Sequence, residues 1–234
     1  MKKWIQTVVR PKVGDVLRKF PWIYDSYQKA YFSVVENRKL KGLHRLGYQY
    51  AGNIGTTLEK HNIDYFYTYG TMLGLVRDGG FIVHDNDIDI GVRANEQFSW
   101  ENLEKAMREI EFRKKHEFMC EGRVTEQTYI KDNVSVDFFL YEMKDDNTMI
   151  TYFYFNGAGK ENGQDLWYVG YYEHAPFKGM QKITCHDVEF RIPECPEQYL
   201  EEIYGPDWRT PIPNWEGEYN MIEGVYGYII KNYD

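Results

Sequence analysis

Cysteine is scarce in this chain: Cys120, Cys185 and Cys195 are the whole complement in 234 residues, and no two form a Cys-x-x-Cys pair. That excludes a disulfide-stapled scaffold and a zinc ribbon; an odd count in an intracellular setting reads as reduced, mostly packed thiols. Long hydrophobic runs are also missing. The longest, Val134-Ser-Val-Asp-Phe-Phe-Leu140, is the size of a strand and far short of a membrane span. After Met1-Lys2-Lys3, residues 4–9 are apolar but broken by Gln6 and Thr7 and ended by Arg10 and Pro11, which is not the pattern of a signal peptide. Positive charge is in deficit, with 28 Lys and Arg against 36 Asp and Glu for a net charge of −8, so nucleic acid is not the expected partner. Neither a Walker loop nor a Gly-x-Gly-x-x-Gly loop occurs, which leaves kinase and dehydrogenase readings without support. A cytoplasmic location is the expectation.

What remains is a globular composition, 43% apolar and 27% charged, in a chain long enough to bury a core without staples. The charge is uneven: residues 1–50 hold 11 basic and 3 acidic side chains, a balance of +8, against −16 for the rest. Aromatics are abundant, with 21 Tyr, 13 Phe and 6 Trp, or 17%. Residues 1–60 read as a basic, mostly helical N-terminal extension, and residues 61–234 as the main domain, which the resemblance described below makes the catalytic one. Within the latter, 63–69 read as a strand, 71–77 as a short helix, 87–92 as a strand, 95–112 as an amphipathic helix and 134–141 as a second apolar strand. Residues 148–191 have β character, and 196–204 form a helix stopped by Gly205-Pro206. Strands interleaved with helices predict an α+β fold, a mixed sheet flanked by helices.

Chemistry concentrates in Tyr69-Gly-Thr-Met-Leu-Gly-Leu-Val-Arg77 and the strand that follows it. Asp87 and Asp89 flank Ile88, so on a strand both carboxylates point to one face while Ile88 and Ile90 pack on the other. Adjacent carboxylates repel unless a cation lies between them, and hard oxygen ligands suit Mg²⁺ or Mn²⁺. Asp137 sits inside the apolar run Val134–Leu140, where an unpaired charge is costly, and is the candidate third metal ligand. Gly70 allows close backbone approach, and Thr71 stands at a helix N-terminus that favours an anion. Arg77 is placed to reach a phosphate oxygen, or else to cap its own helix. His84, Asp85, His174 and Lys178 are further candidates for substrate contact, each with a plain surface or loop role as the alternative. The Tyr and Phe stripe at 150–172 reads as sheet core, with some rings open to stacking on an acceptor.

These residues resemble the LicD family, which includes the fukutin-related proteins. Gly70, Thr71, Leu73, Gly74, Arg77, Phe81, Ile82, Asp85, Asp87, Ile88 and Asp89 match its signature at the same spacing, and Tyr199-Leu-Glu-Glu-Ile-Tyr-Gly-Pro-Asp-Trp208 is similar to its closing stretch. Two departures stand out: Val83-His84 replaces the family's Pro-Trp, and Asn86 replaces the middle acid of its Asp triplet. The resemblance implies a nucleotidyltransferase-like fold. It implies transfer of phosphocholine or a polyol phosphate from a CDP-linked donor to a glycan or its lipid-linked precursor. Asp87, Asp89 and Asp137 then hold the metal, and Gly70, Thr71 and Arg77 hold the donor phosphates. The proton acceptor for the attacking hydroxyl is either Asp137 or a metal-bound hydroxide.

Two other classes compete. A metal-dependent glycosyltransferase would use Asp87-Ile88-Asp89 on a nucleotide sugar, although it would not require Gly70-Thr71 or Asp137. A non-catalytic membrane-surface adaptor would carry a decayed site, for which Asn86 is the argument. The basic, apolar residues 1–22 suit peripheral contact with anionic lipid at the inner face of the plasma membrane, and equally docking on the acidic body of the chain's own domain.

Overall fold

The computed structural model describes residues 21–161, 164–212 and 221–231. Most of the basic segment at 1–22 thus lies outside the described residues. The chain divides into two compact units, residues 1–39 and 40–234. Helix α1 (Pro21–Lys60) begins in the first and continues into the second. In the first unit it carries an exposed Val34 and a Lys39–Glu36 pair. In the second, Ala51, Ile54 and Leu58 recur at three-to-four spacing, with Leu43 two turns earlier, and all four are fully buried. Among the described residues, no helix is long and apolar enough to cross a membrane.

The second unit has the mixed α+β architecture that the alternation of elements implies. Strand β1 (Tyr65–Tyr67) leads into α2 (Tyr69–Arg77), then β2 (Asp87–Arg93) and α3 (Trp100–Glu109). Strands β3 (Arg113–Cys120), β4 (Arg123–Lys131), β5 (Val134–Asp145), β6 (Thr148–Glu161) and β7 (Gln164–His174) follow as a meander. Next come a separate β8–β9 hairpin (Met180–Cys185, Val188–Pro193), α4 (Pro196–Tyr204) and β10 (Ile222–Lys231). The main sheet runs β1-β2-β5-β4-β3-β10-β7-β6, and the end of β5 also pairs with β6. Among the described pairings, β2–β5 alone is parallel.

Local chemistry accounts for several element bounds. Helix α3 is shorter than its amphipathic pattern suggests because Ser99 caps it, accepting a hydrogen bond from the Asn102 N–H at 3.1 Å. Its Leu103, Ala106 and Met107 form the buried stripe. Pro196 opens α4, where its missing N–H costs nothing, and Gly205 closes it. One extensive core runs from α1 through β1, β2 and β5 to Phe190 of β9 and Tyr199 of α4. A smaller one forms around Cys120, Tyr152, Tyr154 and Val169.

The three thiols are free and differ sharply in surroundings. Cys120 is buried in the smaller core, and burial pushes its thiol up to about 11. The Cys185 Sγ donates to the Gly79 carbonyl at 2.7 Å, whereas Cys195 is exposed. Because the thiolate is the reactive form, native protein treated with iodoacetamide near neutral pH is expected to alkylate at Cys195 first and at Cys120 only after unfolding. Mass spectrometry of timed digests checks this; early labelling of Cys120 would contradict the packing described for β3.

Candidate active site

The site is built where β1 ends, α2 begins, and β2 lies beside β5. Burial alternates along β2, with Ile88 and Ile90 fully enclosed and Asp87 and Asp89 on the opposite face. The parallel register sets Asp89 beside Asp137 and Asp87 beside Ser135. On the other side of β5, Thr128 of β4 lies opposite Asp137, and Glu126 opposite Phe139. Side chains directly opposite share a face, so Asp87, Asp89, Asp137 and Glu126 belong to one surface of the sheet. Glu126 is a member of this group that the sequence reading passes over. The available signal was an acid in the middle of the β-forming run Val124–Ile130.

Burial and neighbouring charge act together on these acids. Burial, then the charges of Asp87, Asp85 and Asp137, raise the Asp89 carboxyl well above the usual carboxylate range. Burial does the same at Glu126, followed by Asp137, Asp89 and Asp87. Asp85 is pushed up to about 6, mainly by burial, with His84 and Arg77 pulling the other way. An acid is raised in this manner when it is desolvated among like charges.

Gly70 faces two of these carboxylates directly. A Cβ there would stand 3.2 Å from both Asp85 Oδ2 and Asp89 Oδ2, so the missing side chain leaves a cradle at the mouth of the acidic group. The preceding Tyr69 has φ +40°, strained for a bulky residue. What holds it is the buried polar knot beneath: the Thr68 hydroxyl bonds the Tyr141 and Tyr199 hydroxyls at 2.8 and 2.6 Å, and those two also bond each other. Thr71 takes a different part from the one its sequence position suggests. Its N–H donates to Asp89 Oδ2 at 3.1 Å, and its Oγ1 accepts from the Asp89 N–H at 2.9 Å, with the side chain fully buried. This reciprocal pair orients Asp89 and ties α2 to β2.

Two cavities open on the site. The larger, about 580 Å³, has Gly70, Arg77, His84, Asp85, Tyr204 and Trp208 among its walls. Arg77 forms a two-pronged ion pair with Asp78 at 2.8 and 2.7 Å while still lining this space. The smaller, about 180 Å³, reaches Asp89 and shares Gly70 and Tyr204 with the first. His174 and Lys178 line neither. His174 is buried, stacked near Tyr141 and Tyr199, with Nδ1 3.2 Å from Glu202. Lys178 is exposed on the loop after β7.

Among the described residues, no three His, Cys, Asp or Glu side chains already surround one cation position. The donor set nonetheless fits a hard divalent cation. It is made of carboxylate oxygens whose charged form burial and then mutual repulsion disfavour, with two buried polar atoms, Asp85 Oδ2 and Ser135 Oγ, that lack hydrogen-bond partners among the described residues.

Comparison with known proteins adds a family and several relatives. Residues 62–194 match the family described as LicD/FKTN/FKRP, nucleotidyltransferase domain. The human ribitol-5-phosphate transferase FKTN is 25% identical over 165 residues, which is 68% of this chain and 32% of that protein. The mouse protein of the same name is also 25% identical over 165 residues, with the same shares of the two chains. An uncharacterized protein of Rickettsia typhi is 33% identical over 69 residues, 30% of this chain and 22% of its own length. The chain thus spans about a third of the length of the transferases it matches.

Proposed function

Since this chain belongs to the LicD/FKTN/FKRP nucleotidyltransferase-domain family, we propose that it transfers a phospho-alcohol from a CDP-linked donor to a hydroxyl of a cell-surface glycan or its lipid-linked precursor, releasing CMP. The observation that carries this reading is an acid cluster that opens, through Gly70, on a cavity with a guanidinium in its wall. Gly70 opens on Asp85 and Asp89, and Arg77 lines the adjoining large cavity. In this reading the catalytic unit takes in residues 40–60 as well as 61–234, because α1 supplies part of its core. The basic start of the chain contacts anionic lipid at the inner face of the plasma membrane.

Asp87, Asp89 and Asp137 would hold Mg²⁺ or Mn²⁺, which when bound supplies positive charge to the pyrophosphate as its bridging bond breaks. The chain's own groups do the rest. Gly70 admits the phosphates to the backbone, and Arg77 offsets charge on the departing nucleotide. Thr71 keeps Asp89 in place. The acceptor oxygen bonds to the phosphorus bearing the alcohol, the bond from that phosphorus to the bridging oxygen breaks, and CMP leaves with the electron pair. The hydroxyl proton passes to a carboxylate of the cluster.

Product analysis tests the reading. Full-length protein with Mg²⁺, a CDP-linked alcohol and candidate glycan acceptors is expected to release CMP, and EDTA is expected to stop it. Release of CDP or UDP from a nucleotide sugar instead would favour a glycosyltransferase. No stabilisation by Mg²⁺ with any CDP-linked donor would favour a non-catalytic protein.

A further inference from the structure

The loop between α2 and β2 brings Ile82, His84 and Asp85 to the wall of the larger cavity. Burial fixes Phe81 and Ile82, whereas Gly79, Val83 and His84 are exposed, Val83 by 79%. Three side chains from other elements bind the loop backbone at alternate residues. The Cys185 thiol, at the tip of the β8–β9 hairpin, donates to the Gly79 carbonyl at 2.7 Å. The Tyr48 hydroxyl of α1 accepts from the Phe81 N–H at 3.1 Å. His44, one turn earlier on α1, donates from Nε2 to the Val83 carbonyl at 2.9 Å.

Tyr48 is the centre of this clamp. Its ring lies 4.6 Å from that of Phe81 and 4.3 Å from that of His186, so α1, the loop and the hairpin tip meet on it. The hairpin turns through His186 and Asp187, both at positive φ, which sets Cys185 at the end of β8 against the loop. A Cβ on Gly80 would stand 2.5 Å from the Tyr48 hydroxyl oxygen, so glycine there leaves the hydroxyl its place.

We infer that Tyr48 is a positioning residue for the donor: with His44 and Cys185 it sets the loop backbone so that His84 and Asp85 meet the phosphates at Gly70. This rests on the transferase reading above, and it adds residues that line neither cavity. The Asp85 N–H bonds the Ile82 carbonyl at 3.0 Å, so a turn passes the placement of residue 82 on to Asp85. Asp85 Oδ2 stands 3.2 Å from where a Cβ of Gly70 would be, and a small shift of the loop therefore reshapes the cradle. All three holds end on backbone atoms, in a stretch whose exposed residues have little packing of their own.

The experiment titrates full-length protein in Mg²⁺ with CDP-ribitol, CDP-choline and CMP by calorimetry, and follows amide hydrogen exchange across residues 78–86. Tyr48→Phe keeps the ring and leaves the Phe81 N–H without its acceptor. It is expected to weaken whichever donor wild type binds by about tenfold and to speed exchange at Phe81 by at least as much. Amides of β4 and β5 are expected to exchange as in wild type, which shows that the variant is folded. Cys185→Ala is expected to weaken the donor by about threefold. Cys185→Ser, whose hydroxyl still donates to Gly79, is expected to restore affinity to within about twofold of wild type. Should Tyr48→Phe not fold, His44→Ala, at an exposed position, provides the same test. Unchanged exchange at the loop overturns the clamp. Faster exchange with donor affinity still within about twofold of wild type overturns the positioning role, because the contacts then only stabilise the fold. If wild type binds neither CMP nor either donor, the transferase reading itself is lost, and the donor role of Tyr48 with it, whatever the exchange shows.

Discussion

An Asp89→Asn variant is expected to lose transfer by roughly a thousandfold while its metal-free form melts at a higher temperature than the wild type. The two effects share one cause. Asp89 is desolvated and faces Asp87, Asp85 and Asp137, so its ionised form is disfavoured in the fold. A carboxyl whose pKa is raised by folding binds more protons in the native state than in the unfolded one. Stability therefore falls as pH rises from the ordinary carboxylate range, near 4, through the raised value. For Asp85, raised to about 6, the loss is complete above that pH and amounts to about 3 kcal/mol. Asp89 and Glu126, raised in the same direction, add to the decline. Asn removes one charge from the cluster yet keeps an oxygen to accept the Thr71 N–H, so the link between α2 and β2 survives. Melting curves in EDTA at pH 5 and pH 8 provide the measurement. Wild type is expected to lose several degrees between them, and the variant distinctly less. A variant that is less stable than wild type at pH 8 would make Asp89 a structural acid and undermine its assignment to metal.

Gly74→Ala is the second substitution with a large expected effect, here on stability. Helix propensity alone favours alanine by about 1 kcal/mol at an internal helical position. The contact geometry opposes it. A Cβ on Gly74 would stand 2.5 Å from the Gly80 carbonyl oxygen and 2.9 Å from the Ile82 nitrogen, both backbone atoms of the loop that returns from α2 to β2. That loop is pinned at the same point, because the Gly74 carbonyl accepts from the N–H groups of Asp78 and Gly80 at 2.8 and 3.2 Å. Neither neighbour is a side-chain tip that can swing away, so the overpacking cost of about 1–3 kcal/mol is expected at its upper end and outweighs propensity. Urea denaturation reads it as a lowered midpoint with an unchanged slope. The same displacement would move Asp85, five residues further on, so donor affinity should fall with stability. A variant within 0.5 kcal/mol of wild type would mean that the loop yields, and that close approach is not why glycine stands there.

Legibility from sequence followed the range of the interactions involved. The α4 bounds were readable because a proline and a glycine act on their immediate neighbours. The two faces of β2 were readable because the strand period is two and Asp87-Ile-Asp-Ile90 alternates cleanly. Glu126 was not, since its burial depends on β3 and β5 flanking β4, and nothing in Thr125-Glu-Gln-Thr128 announces those neighbours. Strand β10 escaped for the same reason: it inserts between β3 and β7, about a hundred residues from one partner and some fifty from the other. Thr71 shows the complementary failure. Position at a helix start suggested an anion contact, whereas the fold brings Asp89 to that amide and hydroxyl first. In α1, residues 40–60 read with the extension, yet Leu43, Ile54 and Leu58 face the core of the second unit. The aromatic stripe at 150–172 was correctly apolar in character, but which rings meet around a cavity is decided only by the β6–β7 register and the approach of Tyr69.

The left-handed backbone at Tyr69 also has a meaning for descent. Glycine would relieve about 1–3 kcal/mol of strain at that position, which on its own would favour its spread. It would also empty the space of a phenol among Phe139, Phe153 and Tyr172, at a cost of about 3–5 kcal/mol. Smaller residues keep the strain and lose the packing, and a second aromatic keeps both. Every single step away from a large ring at position 69 therefore runs uphill, so drift should leave an aromatic there even in lineages whose donor or acceptor has changed.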